Sequence, residues 1–264
     1  MGRFDIHAHL LPAVDDGPSS FEDAVAMARI AASDGTETIL ATPHQRDVAM
    51  KSSVDDIRQS LNKLNDAVYA GIPSGTRPIR ILLGMENHIE PGLVEWVSEG
   101  RAITMNESKF ILSEPPFTAY PPYVEETLFR LQITGLVPVI AHPERNSTLQ
   151  QNPKRLRELI ERGMLTQITA GSFLGLFGAD AKRAAETFLA SGLVHMVASD
   201  MHRPTGPRTP HLTEAHKRVA TLSGEETARR IFEETPSMIL QNHDPLVEPP
   251  LENPRRKWWF QRGN

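Results

Sequence analysis

A short apolar, β-rich run, closed by a polar residue and followed by a helical segment, recurs seven times along this chain of 264 residues. The runs fall at 4–9, 36–42, 79–84, 110–112, 136–141, 165–169 and 193–199. Helical periodicity occupies 21–32, 54–70, 93–97, 124–133, 153–161 and 179–189, then 212–222, 225–233 and 237–240. In the 54–70 segment Ile57, Leu61, Leu64 and Val68 share one face, as an amphipathic helix requires. Ser20 and Asp23 stand in capping-box spacing before the first helix, and Gly35 follows it as a stop. Strands that alternate with helices pair in parallel. The fold class expected is α/β, a seven-stranded (β/α)7 barrel close to the TIM type, with an open doubly wound sheet as the competing architecture.

The alternation continues without an internal linker, so a single barrel domain is expected over 1–243. A tail over 244–264 is proline-rich and then basic and aromatic, with Trp258, Trp259 and Phe260 among Arg255, Arg256, Lys257 and Arg262. The tail reads as an interfacial anchor on an anionic membrane surface, with the proline-rich stretch as a spacer; docking on the barrel is the competing reading.

The chain has no cysteine. That excludes disulfides, iron–sulfur clusters, cysteine–zinc sites and every cysteine nucleophile. The net charge of −5 gives no field for nucleic acid. Neither a dinucleotide fingerprint nor a P-loop occurs. No apolar run approaches the ~20 residues of a membrane span, and the opening residues lack the apolar stretch of a signal peptide, so a cytoplasmic location is expected.

In a parallel α/β protein the chemistry sits at the C-terminal strand ends. Here the first run delivers His7 and His9, and the loop after it Asp15 and Asp16. The second delivers His44, the third Glu86, the fourth Glu114, the fifth His142, and the seventh Asp200 and His202. Residues i and i+2 of a strand face one side, so His7 and His9 can converge on one ion. This set of nitrogen and oxygen donors suits manganese, iron or zinc and exceeds what one ion needs, so two or three metals are implied. Arg145, three residues past His142, is the candidate for a bidentate clamp on a phosphoryl group; a surface salt bridge to Glu144 or Asp15 is the alternative. Arg46 is a weaker candidate. Of the remaining histidines, His195 reads as a core or strand-start residue, His216 as solvated, and His211 as a residue able to approach the site.

Five segments, Asp5 to Gly17, Ala41 to His44, Gly84 to Glu86, Ala141 to Arg145 and Ser199 to His202, together resemble the polymerase and histidinol phosphatase (PHP) superfamily of metal-dependent phosphoesterases. Within it they are most similar to the CpsB/CapB-type manganese-dependent protein-tyrosine phosphatases of capsule and exopolysaccharide loci. The resemblance implies a distorted seven-stranded barrel with a trinuclear, manganese-first centre. His7, His9, Glu86 and Asp200 would hold one metal. A bridging Glu86, with Glu114 and His142, would hold a second. Asp16, His44 and His202 would hold a third. Arg208 is carried over as a second phosphate-binding arginine. The implied reaction is phosphotyrosine hydrolysis by a metal-activated hydroxide. The implied partner is a phosphotyrosine protein such as a membrane-associated tyrosine autokinase. A small-molecule phosphatase of the histidinol-phosphate type is the alternative; a phosphodiesterase like the polymerase-associated domains is disfavoured by the charge, and a degenerate, non-catalytic barrel by the complete donor set.

Overall fold

The computed structural model describes residues 2–70 and 79–251. Among them are eight strands: β1 (Arg3–Ala8), β2 (Thr36–Ala41), β3 (Arg80–Leu83), β4 (Asn87–His88), β5 (Phe110–Glu114), β6 (Val137–Ala141), β7 (Leu165–Thr169) and β8 (Met196–Ala198). They form two parallel sheets, ordered β1-β2-β3 and β4-β5-β6-β7-β8. The α/β class matches the sequence; the strand count does not. The single run expected over 79–84 is broken after Leu83, and pairing resumes as β4 on the edge of β5. The amide of Asn87 holds the break: its Nδ2 lies 2.8–3.1 Å from the carbonyls of Met85, Leu112 and Ile103. The last strand is shorter than expected. Just before it, His195 Nδ1 accepts the Thr166 N–H at 3.1 Å, so a side chain stands where a ladder partner would.

The two sheets meet along two seams. At one, Ala8 bridges Met201; Asp200 N–H donates to the His7 carbonyl and His9 N–H to that of Met201, both at 2.9 Å. Below this, buried Asp5 accepts from Ser199 N–H and Oγ, and burial pushes the Asp5 carboxyl up to about 6. At the other seam His44 bridges Glu86, with Gln45 N–H donating to the Glu86 carbonyl at 2.9 Å. One apolar cluster collects Ile6, Leu40, Phe110, Leu112, Val139, Ala141, Leu165, Met196 and Ala198 from both sheets, with Met105, Ile239 and Leu240. Further clusters among the described residues lie between the strands and their covering helices.

Most of the helices match the periodicity, including Phe21–Ser33 with its Ser20 cap and Val54–Ala70. Short helices at Gln45–Lys51, Ser147–Gln151 and Ala170–Leu174 were not visible in it. Residues 244–251, expected as a free spacer, run against the body: Leu251 N–H donates to the Ser191 carbonyl at 3.0 Å, Arg157 donates to the Leu251 carbonyl at 2.8 Å, and Arg230 pairs with Glu248 at 2.9 Å. The basic and aromatic residues 255–262 lie outside the described residues. No helix among the described residues is long and apolar enough to cross a membrane.

Candidate metal centre

On β5 the strand period carries the interior row of side chains directly into the site. Phe110 and Leu112 face the shared interior, and the next step of two is Glu114. Met196 and Ala198 lead to Asp200, Leu40 to His44, and Leu82, packed against the same cluster, to Glu86. Only on β5 does the period itself place the donor, Glu114, on the face of the row; His44, Glu86 and Asp200 lie two or three residues past the ends of β2, β3 and β8. Two strands depart from the row. On β6 the interior residues are Val139 and Ala141, and His142 follows without the step of two; its φ of 30° turns the side chain inward. On β1 a register shift between Asp5 and Ala8 separates interior Ile6 from His7 and His9. Asp200 also has positive φ, 54°. Left-handed conformations at non-glycine residues cost free energy and concentrate at functional sites.

Glu86 is the hub. Oε2 lies 3.3, 3.2 and 2.9 Å from His7 Nε2, His9 Nε2 and His44 Nδ1, and Oε1 lies 2.8 Å from His142 Nε2. Glu114 Oε1 is 3.7 Å from the same His142 nitrogen. Asp200 Oδ1 lies 3.5–3.7 Å from His9 and His7. At the rim Asp16 Oδ1 is 3.0 Å from His202 Nε2 and 3.5 Å from His44 Nε2. Among the described residues, four groups have donor atoms mutually within 4.8 Å: His9, Asp16, His44 and His202; His7, Glu86 and His142; His7, His9 and Asp200; and His44, His88 and Glu114.

These donors fit metal ions better than they fit one another. His44 Nδ1, Glu114 Oε2 and His202 Nε2 are buried and make no hydrogen bond, yet each lies within 2.9–3.0 Å of another donor. Close approach without hydrogen-bond alignment is what lone pairs directed at shared cations produce. The distal nitrogens are fixed from behind, as ligating imidazoles require. His9 Nδ1 is 2.7 Å from Asp15 Oδ2, His7 Nδ1 is 2.9 Å from Gln167 Oε1, and His202 Nδ1 is 3.0 Å from the Asp200 carbonyl.

The electrostatics agree. Burial alone would push the Glu86 and Asp200 carboxyls up, but the surrounding imidazoles, and Arg208 at Asp200, hold both well below the usual carboxylate range. Burial alone would lower His7; Glu86 and Asp200 outweigh it and raise it. His9 and His44 are raised in the same way: burial would lower both, and the neighbouring carboxylates of Asp15 and Glu86 at His9, and of Glu86 at His44, outweigh it. His202 is lowered by burial and by His9.

All nine expected donors, His7, His9, Asp16, His44, Glu86, Glu114, His142, Asp200 and His202, are brought to this one region. Both expected arginines come with them. Arg145 Nη1 meets Asp200 Oδ2 and Arg208 Nη2 meets Asp200 Oδ1, each at 2.7 Å. Arg145 therefore pairs with neither Glu144 nor Asp15; the buried Glu144 carboxylate instead accepts from Thr169 N–H and Ser172 Oγ. Arg46 pairs with Glu90, and His211 turns to Asp34 at 3.6 Å. His216, expected in solvent, packs edge-on against Phe232.

Two residues, His88 and Gln167, have no role in the sequence reading, and Asp15 takes a role behind His9 that the reading does not give it. His88 Nε2 lies 2.9 Å from Glu114 Oε2; its signal was the i, i+2 spacing from Glu86, hidden while one strand was expected to end at 84. Asp15 supports His9 and also accepts the His44 N–H at 3.0 Å. Gln167 occupies the one strand that offered neither imidazole nor carboxylate.

Fold and donor set define a class: a parallel α/β protein carrying a cluster of His and carboxylate donors able to hold metal at its strand ends. Residues 3–241 match the family model described as "Capsular polysaccharide synthesis, CpsB/CapC", and the chain belongs to that family. It is 35% identical to the tyrosine-protein phosphatase YwqE of Bacillus subtilis (strain 168) over 96% of this chain and 97% of that protein. It is 31% identical to the tyrosine-protein phosphatase CpsB of Streptococcus pneumoniae over 90% of this chain and 98% of that one. A solved structure from work on YwqE and on CpsB of Streptococcus pneumoniae, titled as unique metal-dependent tyrosine phosphatases, superposes with a TM-score of 0.87 at 35% identity, covering 94% of this chain and 98% of the other.

Proposed function

We propose that this chain is a metal-dependent protein-tyrosine phosphatase of capsular or exopolysaccharide synthesis, acting in the cytoplasm on a phosphotyrosine protein such as a membrane-associated tyrosine autokinase. The two sheets are read as one distorted barrel. The observation that carries the proposal is the convergence of nine metal-donor side chains with Arg145 and Arg208 around Glu86 and Asp200. The family membership and the relatives' names agree with it.

His7, His9, Glu86 and Asp200 would hold one ion, Glu86, Glu114 and His142 a second, and Asp16, His44 and His202 a third, with His88 beside Glu114. Manganese is the first assignment; iron and zinc accept the same donors. Bound divalent ions supply Lewis acidity, lowering the pKa of water toward ~7 and offsetting phosphoryl charge. Asp15 and Gln167 keep the His9 and His7 rings turned into the centre. Arg145 and Arg208 are the catalytic arginines. Arg145 commits one terminal nitrogen to Asp200 and leaves the rest of its fork for equatorial phosphoryl oxygens, whereas Arg208 also turns Nε to the Asp200 carbonyl at 3.4 Å and brings Nη1 to 3.6 Å from Asp16. A phenol leaves with a pKa near ~10, so no dedicated general acid is needed.

The test is turnover of a phosphotyrosine peptide against histidinol phosphate, with and without chelator and thiol alkylation, alongside elemental analysis. Hydrolysis of the peptide in preference, lost on chelation and untouched by alkylation, is expected. Activity that survives exhaustive chelation overturns the metal reading; preference for histidinol phosphate overturns the substrate reading.

A further inference from the structure

Phe117 follows β5 in the loop leaving Glu114, and 42% of its surface is exposed. Its ring is parallel to that of His142, with an interplanar angle of 3° and centroids 5.4 Å apart. The Arg145 guanidinium carbon lies 4.8 Å from the Phe117 centroid and 4.4 Å from that of Phe177. The arginine that reaches Asp200 is therefore flanked by two rings, one of them open to solvent.

The open ring is held in place. Asn146 Nδ2 donates to the carbonyls of Pro116 and Ala119, at 2.5 and 3.3 Å, and Ser147 N–H to that of Phe117 at 3.4 Å. Phe177 is seated on Gly171, where a Cβ would stand 2.8 Å from its ring and 3.3 Å from Leu176; Leu176 is itself exposed. An apolar wall thus borders a centre that is otherwise charged. Burial does not account for the exposed part of Phe117, which is fixed beside the groups that would grip a phosphoryl.

We propose that Phe117 is a specificity-determining residue that receives the aromatic ring of the phosphorylated side chain, so that the centre prefers aryl over alkyl phosphates. The proposal rests on the phosphatase reading above. In an aryl phosphate the ring is joined directly to the ester oxygen. A phosphoryl held at Arg145 therefore carries that ring out along the flank where the exposed part of Phe117 stands. An alkyl phosphate has no π-face to offer. Offset or edge-on ring pairing contributes about 0.5–1.5 kcal/mol beyond burial, or roughly two- to thirteenfold.

The test compares phenylphosphonate with methylphosphonate as competitive inhibitors of phosphotyrosine-peptide hydrolysis by the full, manganese-loaded chain. The two share a head group and differ in the ring. The wild type is expected to bind phenylphosphonate more tightly. Phe117→Leu is expected to cut that preference about tenfold, and Phe117→Tyr to keep it within about twofold. An unchanged preference in Phe117→Leu overturns the proposal and leaves the phosphatase reading intact, as does a fall in affinity equal for both inhibitors. A wild type that hydrolyses no phosphotyrosine peptide overturns both.

Discussion

His7 and His195 are both buried histidines, and their side chains meet neighbouring residues of β7, Gln167 and Thr166. His7 lies near the C-terminal end of β1 and His195 immediately before β8. Desolvation lowers the basicity of both. At His7 the carboxylates of Glu86 and Asp200 overcome it and the imidazole is raised. At His195 Arg230 adds to it and the imidazole is pushed down to about 4. Burial alone therefore does not separate a ligand from a structural histidine; the sign of the charge around it does. The field that draws a proton onto His7 is the field that draws a divalent cation. His195 is kept neutral and its Nδ1 serves as an acceptor for Thr166.

The strongest way to break this contrast is to remove the hub. Glu86→Gln keeps the shape but removes the charge facing four imidazoles. Turnover is expected to fall to background and metal content to drop, with far-ultraviolet circular dichroism unchanged. Near-native turnover at limiting metal would show that the carboxylate is not a ligand.

Arg145→Lys is expected to cost roughly 10²–10³-fold in kcat/KM, about 2.7–4 kcal/mol, while metal content holds, because an ammonium cannot reproduce the planar fork. A loss under threefold would return Arg145 to a purely structural partner of Asp200.

The protonation of His195 is tested by pH. Its folded value of about 4 lies below the ordinary 6.5, so the unfolded chain takes up the proton first as pH falls. The neutral imidazole weakens stability progressively from about pH 6.5 down to about pH 4, by up to about 3 kcal/mol. His195→Gln, compared with the wild type by urea unfolding across that window, should remove this component. Parallel curves for the two proteins would mean that His195 is as easily protonated folded as unfolded.

The smallest effect is expected at Asp15→Asn, which weakens the acceptor behind His9 without removing a donor from the centre. Metal affinity should fall about 10–100-fold, with full activity recovered at saturating metal. Activity that stays lost at saturation would place Asp15 among the ligands themselves.

The legible part of the site followed from period on β5 and from position elsewhere. Where an apolar row such as Phe110 and Leu112 steps by two, Glu114 had to emerge on the same face, whereas Glu86, His44 and Asp200 were legible only as polar residues just past the strand ends. His88 was illegible because the break at Gly84–Glu86 depends on Asn87 finding carbonyls on other segments. Gln167 was illegible because a neutral amide signals nothing until an imidazole is seen to lean on it. His216 was misread because its cover, Phe232, comes from a later helix.

The sequence by itself determined the kind of chemistry: which strand ends carry nitrogen and oxygen donors, that no thiol is present, and that parallel strands bring those ends to one side. Local periodicity is enough for that, since each strand sets the direction of its own side chains. The tertiary structure decided which donors share an ion-sized space, that Arg145 and Arg208 both close on Asp200, that the third run splits into two strands, and that Phe117 flanks the centre. Those outcomes depend on distances between residues far apart in the chain, which are fixed only when the two sheets share an interior and their seams at Ala8–Met201 and His44–Glu86 set the relative height of every strand end.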